Sequence, residues 1–173
     1  MFVDIPLYIV KLCDILFLLM KEMEFFMYII SKCLLGENCK YNGGNNRNQE
    51  ILDFCKTHEY IAVCPEGAAN LPIPREPAER VGSKILNRSG QDLTDSFLEG
   101  ARLSLEKALK VSKQKKQPIE GAVLKANSPS CGCNKIYDGT FSGTLTDGDG
   151  CFVQLLKAHG IPVYTEKNFS DNI

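Results

Sequence analysis

The chain has 173 residues, 44% hydrophobic and 24% charged, a balance that suits one globular domain with a core that can stand without disulfides. Its 20 basic and 21 acidic residues leave a formal net charge of −1, which excludes a chain-wide electrostatic footprint for nucleic acid. Eight cysteines are many for such a chain, and in a reducing, cytoplasmic setting they point to metal or redox chemistry where they gather in loops.

In chain order, residues 1–26 come first. The segment is apolar, but Lys11 and Asp14 interrupt it, and its longest later run, Ile15 to Met20, falls far short of the roughly 20 apolar residues of a membrane span. No basic start precedes it and no small-residue cleavage site follows. It reads as an extension without stable membrane insertion, and Cys13 within it is assigned no role. The main domain is expected over 27–168, with 169–173 as a tail.

Met27 to Ser31 (MYIIS) is a short apolar run expected to form a buried strand that stops near Cys33. Leu34 to Asn48 is loop-like, Gln49 to Thr57 predicts a helix, and Tyr60 to Val63 a second strand ending at Cys64-Pro65. Pro72, Pro74 and Pro77 make Leu71 to Ala78 a stiff, extended segment. Gln91 to Lys116 predicts the longest helix. Its stripe of Leu93, Phe97, Ala101, Leu105, Ala108 and Ser112 repeats at helical spacing, and Gly100 inside it implies close packing against a neighbour. The basic Lys113–Lys116 stretch suits the dipole at that helix's end. Ile119 to Lys125 predicts a third strand, running into the Asn127–Cys131 loop. After a glycine-rich stretch from Gly139 to Gly150, a helix over Cys151 to Ala158 stops at Gly160, and Ile161 to Thr165 forms a last strand. Strands alternating with helices imply a single compact α/β domain, a mostly parallel, Rossmann-like sheet with helices on both faces.

In such a sheet, ligands bind beyond the carboxyl ends of the strands. Three predicted strands end at or shortly before a cysteine: Cys33, Cys64 and Cys131. The topology therefore brings three thiols to one edge from three distant stretches of chain. Three soft thiolates suit zinc or an iron–sulfur cluster and leave one position open, with Cys39 and Cys133 as candidate fourth ligands. Glu66, two residues after Cys64, is either a solvated loop carboxylate or an acid/base group beside the metal. Ser128, three residues before Cys131, is either a turn-former before Pro129 or a hydroxyl donor. His58 and His159 lie near helix ends, as surface histidines do. Arg75 either clamps an anionic or carbonyl group or pairs with Glu79 or Glu76. No P-loop or dinucleotide fingerprint is present.

SKCLLGENCKYNGG, CPEGAANLPIPREPAE, GQDLTDSFLEGA, LKANSPSCG, IYDGTFSG and HGIPVYTE, in that order from about Met27 to Glu166, resemble the motif blocks of the thiouracil desulfidase family. The resemblance implies a non-redox enzyme that removes sulfur from a thiolated pyrimidine such as 2-thiouracil, releasing uracil and hydrosulfide. It further implies a [4Fe-4S] cluster on Cys33, Cys64 and Cys131, with Glu66 and Ser128 as the catalytic pair. The expected partner is a small thiolated heterocycle, with no nucleic acid. Gly67 to Asn70 replaces the family's usual valine and glycine pair after CPE, Asn42 its aspartate and Lys40 its arginine; these departures bear on substrate more than on reaction type. Two other readings remain: a non-catalytic zinc- or cluster-binding module closed by a fourth ligand, and an enzyme using Cys131 as a plain nucleophile.

Overall fold

Five buried residues in a row, Met27–Ser31, form strand β1 at the centre of the molecule. The computed structural model describes residues 26–171 and 173. The apolar segment before Phe26, with Cys13, lies outside the described residues. β1 pairs in parallel with β2 (Glu59–Val63) on one side and β5 (Ile119–Leu124) on the other, and β8 (Val163–Thr165) pairs in parallel with β5. The sheet order is β2-β1-β5-β8. Because successive side chains on a strand point to opposite faces, β1 divides its apolar residues between two cores. Met27 and Ile29 pack on the larger one, and Tyr28 and Ile30 on the smaller.

The larger core is closed by two helices, α3 (Thr94–Lys115) and α4 (Cys151–Ala158). Phe97, Ala101, Leu105 and Ala108 of the expected stripe are all buried there, joined by Phe152, Val153 and Leu156 of α4. The opposite face is covered by α1 (Gln49–Phe54) and by the 3-10 turns Lys32–Leu35 and Phe169–Asp171, through Ile51, Leu34 and Phe169. Helical cover on both faces of a parallel sheet is the architecture the sequence implies. Among the described residues no helix is long and apolar enough to cross a membrane.

Two small antiparallel pairs escape the sequence reading. One joins β3 (Ala78–Val81) to β4 (Lys84–Asn87), the other β6 (Lys135–Tyr137) to β7 (Leu145–Asp147). The first pair explains why α3 starts at Thr94 rather than Gln91. Residues before it extend the hairpin, with Leu86 bridging Asp92 and the Leu93 amide donating to the Ile85 carbonyl at 2.8 Å. α1 ends at Phe54, three residues short of the expected Thr57, because Cys55 to Thr57 turn back toward β2. A four-residue helix, α2 (Pro65–Ala68), follows β2 directly and packs on α3 at Gly100. A Cβ at Gly100 would stand 2.0 Å from the Pro65 carbonyl oxygen, so only glycine permits the approach.

Candidate active site

The connection leaving β1 runs to β2, and the one leaving β5 runs the opposite way to β8, so the strand order reverses between β1 and β5. That reversal opens a crevice at the carboxyl ends of the strands. A cavity of about 510 Å³ lies there, and Cys33, Cys64, Cys131, Glu66 and Ser128 all line it. The structure thus brings together the three proposed cysteine ligands, Glu66 and Ser128. Cys39 lines the cavity as well. Cys133 does not; its thiol donates to the Val163 carbonyl at 3.6 Å.

Each cysteine is set by its own local structure. Cys33 sits in the 3-10 turn that ends β1, and its carbonyl accepts from the Gly36 and Asn46 amides. Cys64 caps α2, its sulfur accepting from the Gly67 amide at 3.4 Å. Cys131 ends a tight loop built on Ser128, whose Oγ accepts from the Ser130 and Cys131 amides, each at 3.1 Å. Ser128 is therefore a turn-former and a cavity-lining hydroxyl at once.

The thiols feel one another. A hydrogen bond from Cys39 is the main reason the Cys64 thiol is held down to about 7; the Gly67 amide helps and burial opposes. Cys33 is lowered first by the same donor, Cys39, against burial, with help from Asn46 and Lys125. Cys39 is pushed far up because its proton serves both neighbours. Burial, then the charges of Cys33 and Cys64, drives Cys131 well above the ordinary thiol range. Two thiols shifted down and a third pushed up by burial and by its neighbours' charges form a soft sulfur donor set that fits a metal centre. Among the described residues, no three His, Cys, Asp or Glu side chains stand close enough to hold one metal ion. A multi-iron cluster is larger than one ion and takes thiolates set further apart.

Glu66 does not stand free. Arg75 donates to Glu66 Oε2 through both Nε, at 2.9 Å, and Nη2, and the pair is largely buried, with side chains 7% (Arg75) and 19% (Glu66) exposed. Of the two readings open for Arg75, pairing with Glu79 or Glu76 is thereby corrected. Those carboxylates have other work: Glu76 accepts from Ser89, and Glu79 from the Gly139 and Phe141 amides at 3.0 Å each. Arg75 also reaches the Pro72 and Cys39 carbonyls, tying the CPE helix to the loop that carries Cys39. Lys125, another lining residue, is anchored by Glu166, which also accepts from the Ala126 amide at 2.7 Å. Sequence reasoning assigned no place in the site to Glu79, Arg88, Lys125, Tyr137 or Phe141. All but Arg88 fall inside the quoted blocks, so the motifs themselves were the signal that could have found them.

Residues 28–168 match the family model described as 2-thiouracil desulfurase. The chain belongs to that family. It is also 36% identical over 155 residues to the uncharacterized protein YbbK of Bacillus subtilis, with 84% of this chain and 99% of the relative covered. Among solved structures it is similar to the [4Fe-4S]-dependent thiouracil desulfidase TudS. That match has a TM-score of 0.73 at 38% identity and covers 84% of this chain and 94% of the other.

Proposed function

We propose that this desulfurase-family chain hydrolyses the thiocarbonyl of a thiolated pyrimidine such as 2-thiouracil, with a [4Fe-4S] cluster held by Cys33, Cys64 and Cys131 in a reducing, cytoplasmic setting. Balanced, the thiocarbonyl and water give a carbonyl, hydrosulfide and a proton, with no change of oxidation state. The observation that carries the reading is the convergence of three strand-end thiols with Glu66 and Ser128 on one cavity. When bound, the cluster supplies a soft, Lewis-acidic iron with a position open to the thiocarbonyl sulfur.

The rest of the chemistry belongs to the chain. Arg75 occupies Glu66 Oε2 and leaves Oε1 as the oxygen that accepts a proton from the attacking water. The same carboxyl then returns that proton to the ring nitrogen or to the departing sulfur. Ser128 Oγ already accepts two backbone amides, so its remaining capacity is as a donor. It donates to the newly added oxygen as that oxygen gives up its second proton and becomes the carbonyl, while the negative charge of the addition step is carried by the sulfur that leaves.

One observation favours the non-catalytic module: Cys39 lies among the other thiols as an available fourth ligand. Anaerobic iron and sulfide analysis of the reconstituted wild type, Cys131→Ala and Cys39→Ala, with 2-thiouracil turnover alongside, separates the two. The desulfidase reading expects about four iron and four sulfide per chain, lost in Cys131→Ala and kept in Cys39→Ala, with uracil and sulfide released. A cluster that needs Cys39 and turns over nothing would instead establish the module.

A further inference from the structure

The loop between β6 and β7 is built to hold one aromatic ring at the cavity. Phe141, at its centre, has φ of +57°, a left-handed backbone that a bulky side chain rarely adopts. Several contacts enforce it. Glu79 of β3, only 7% exposed, places Oε2 between the Gly139 and Phe141 amides, 3.0 Å from each. A Cβ on Gly139 would meet the Arg80 carbonyl oxygen at 2.6 Å, so loop and β3 are in close contact. A chain of hydroxyls, Thr140 to Ser142 to Thr144, each step 2.7 Å, stiffens the loop from within, anchored by Asp138 at 2.6 Å. A carboxylate is costly to bury, and here it serves two main-chain amides of a surface loop rather than an ion-pair partner. What that arrangement holds at the cavity is Phe141, which lines it together with Tyr137 and Arg88, the Arg88 guanidinium lying over the Phe141 ring 5.9 Å from its centre.

We propose that Phe141 is the substrate-recognition surface of this site: its ring stacks on the flat π-face of the thiolated heterocycle, and Glu79 is the positioning residue that holds it there. This rests on the desulfidase reading and deepens it, because it names planarity as the property selected. The cavity then discriminates an aromatic pyrimidine from a puckered or acyclic thiocarbonyl of the same polar outline. Base–aromatic stacking sets the size of the effect, roughly a 5- to 150-fold change in affinity on removal of the ring.

The test uses reconstituted holoprotein and two product-like probes, uracil and 5,6-dihydrouracil, which share polar groups but differ in ring planarity. Binding is read by calorimetry, next to iron content and kcat and KM for 2-thiouracil. Wild type should prefer uracil. Phe141→Ala should bind uracil about tenfold or more weakly and bind dihydrouracil nearly unchanged, with KM raised, kcat little altered and iron retained. Phe141→Tyr should restore the preference. Glu79→Ala should lose it as Phe141→Ala does, and Glu79→Gln, which keeps an acceptor oxygen, should retain more of it. Uracil binding unchanged in Phe141→Ala, or both probes weakened alike, overturns the stacking role and leaves the desulfidase reading intact. A cluster-loaded wild type that neither binds uracil nor turns over 2-thiouracil sinks that reading itself, and the stacking proposal with it.

Discussion

Arg75 shows how a single side chain serves both stability and chemistry. Its guanidinium is nearly buried against the Glu66 carboxylate, and it spends its other donors on the Pro72 and Cys39 carbonyls. An Arg75→Met change would leave Glu66 without its cation in a site only 19% exposed. Breaking one side of such a pair costs about 3 kcal/mol, far more than an exposed pair such as Lys56–Asp53 contributes. Thermal melting should therefore show a clear loss of stability. Turnover of 2-thiouracil should fall at least about tenfold with iron content maintained, because the carboxylate loses its orientation. Arg75→Lys should recover part of the stability but little activity, since an ammonium lacks the planar fork that engages one oxygen through two nitrogens. Activity equal to wild type in Arg75→Met would remove Glu66 from the proton path. Nothing near Arg75 in the sequence announced this partner. Glu76 is adjacent and Glu79 four residues away, whereas Glu66 comes close only because α2 and the proline-stiffened segment fold back on each other.

At the scale of elements, what was legible is what local pattern controls. β1 and α4 fall on their expected bounds, and the buried stripe of α3 follows its 3.6-residue period. The thiol convergence was legible too, because a parallel sheet puts all its strand ends on one edge and three of the four expected strands run into a cysteine at or a few residues past their ends. The β3–β4 and β6–β7 pairs were not, since three or four residues of mixed polarity carry no usable period and β7 is fully exposed. Their purpose is non-local: Glu79 meets amides some 60 residues away. Gly100 tests the tightest contact between elements. In an exposed helix, Gly→Ala stabilises by about 1 kcal/mol. Here the new Cβ would meet a backbone oxygen at 2.0 Å, which cannot rotate aside, and overpacking of that kind costs about 1–3 kcal/mol. The sign should therefore reverse: Gly100→Ala should lower the melting temperature. It should also loosen cluster retention, because α2 carries Glu66 and is capped by Cys64. A stabilised variant with full iron content would mean that α3 and α2 separate easily.

For the whole molecule, the position of β1 decides how much chain the site needs. β1 is one of the two inner strands of the sheet, and its first residue, Met27, is fully buried, with its amide donating to the Pro118 carbonyl at 3.0 Å. The thiols gather at the other end of that strand, about 13 Å away by the four residue rises from Met27 to Ser31. Among the described residues, those that line the cavity all lie between Ser31 and Gly143, and the family match begins at residue 28. We therefore propose that residues 27–168 are the catalytic unit and that the preceding segment is dispensable for it. A chain starting at Met27 should melt within about 2 °C of the full-length protein, the shift that a change away from the core produces. It should also hold the same iron and sulfide and turn over 2-thiouracil at the same rate. Phe26, 38% exposed, is the one described apolar side chain removed, too little surface to move these values far. Loss of stability with the cluster intact would assign the early segment to covering the molecule at the amino end of β1. Loss of iron from an otherwise stable chain would mean the segment reaches the site at the opposite end of the sheet, and the unit would have to be redrawn to include it.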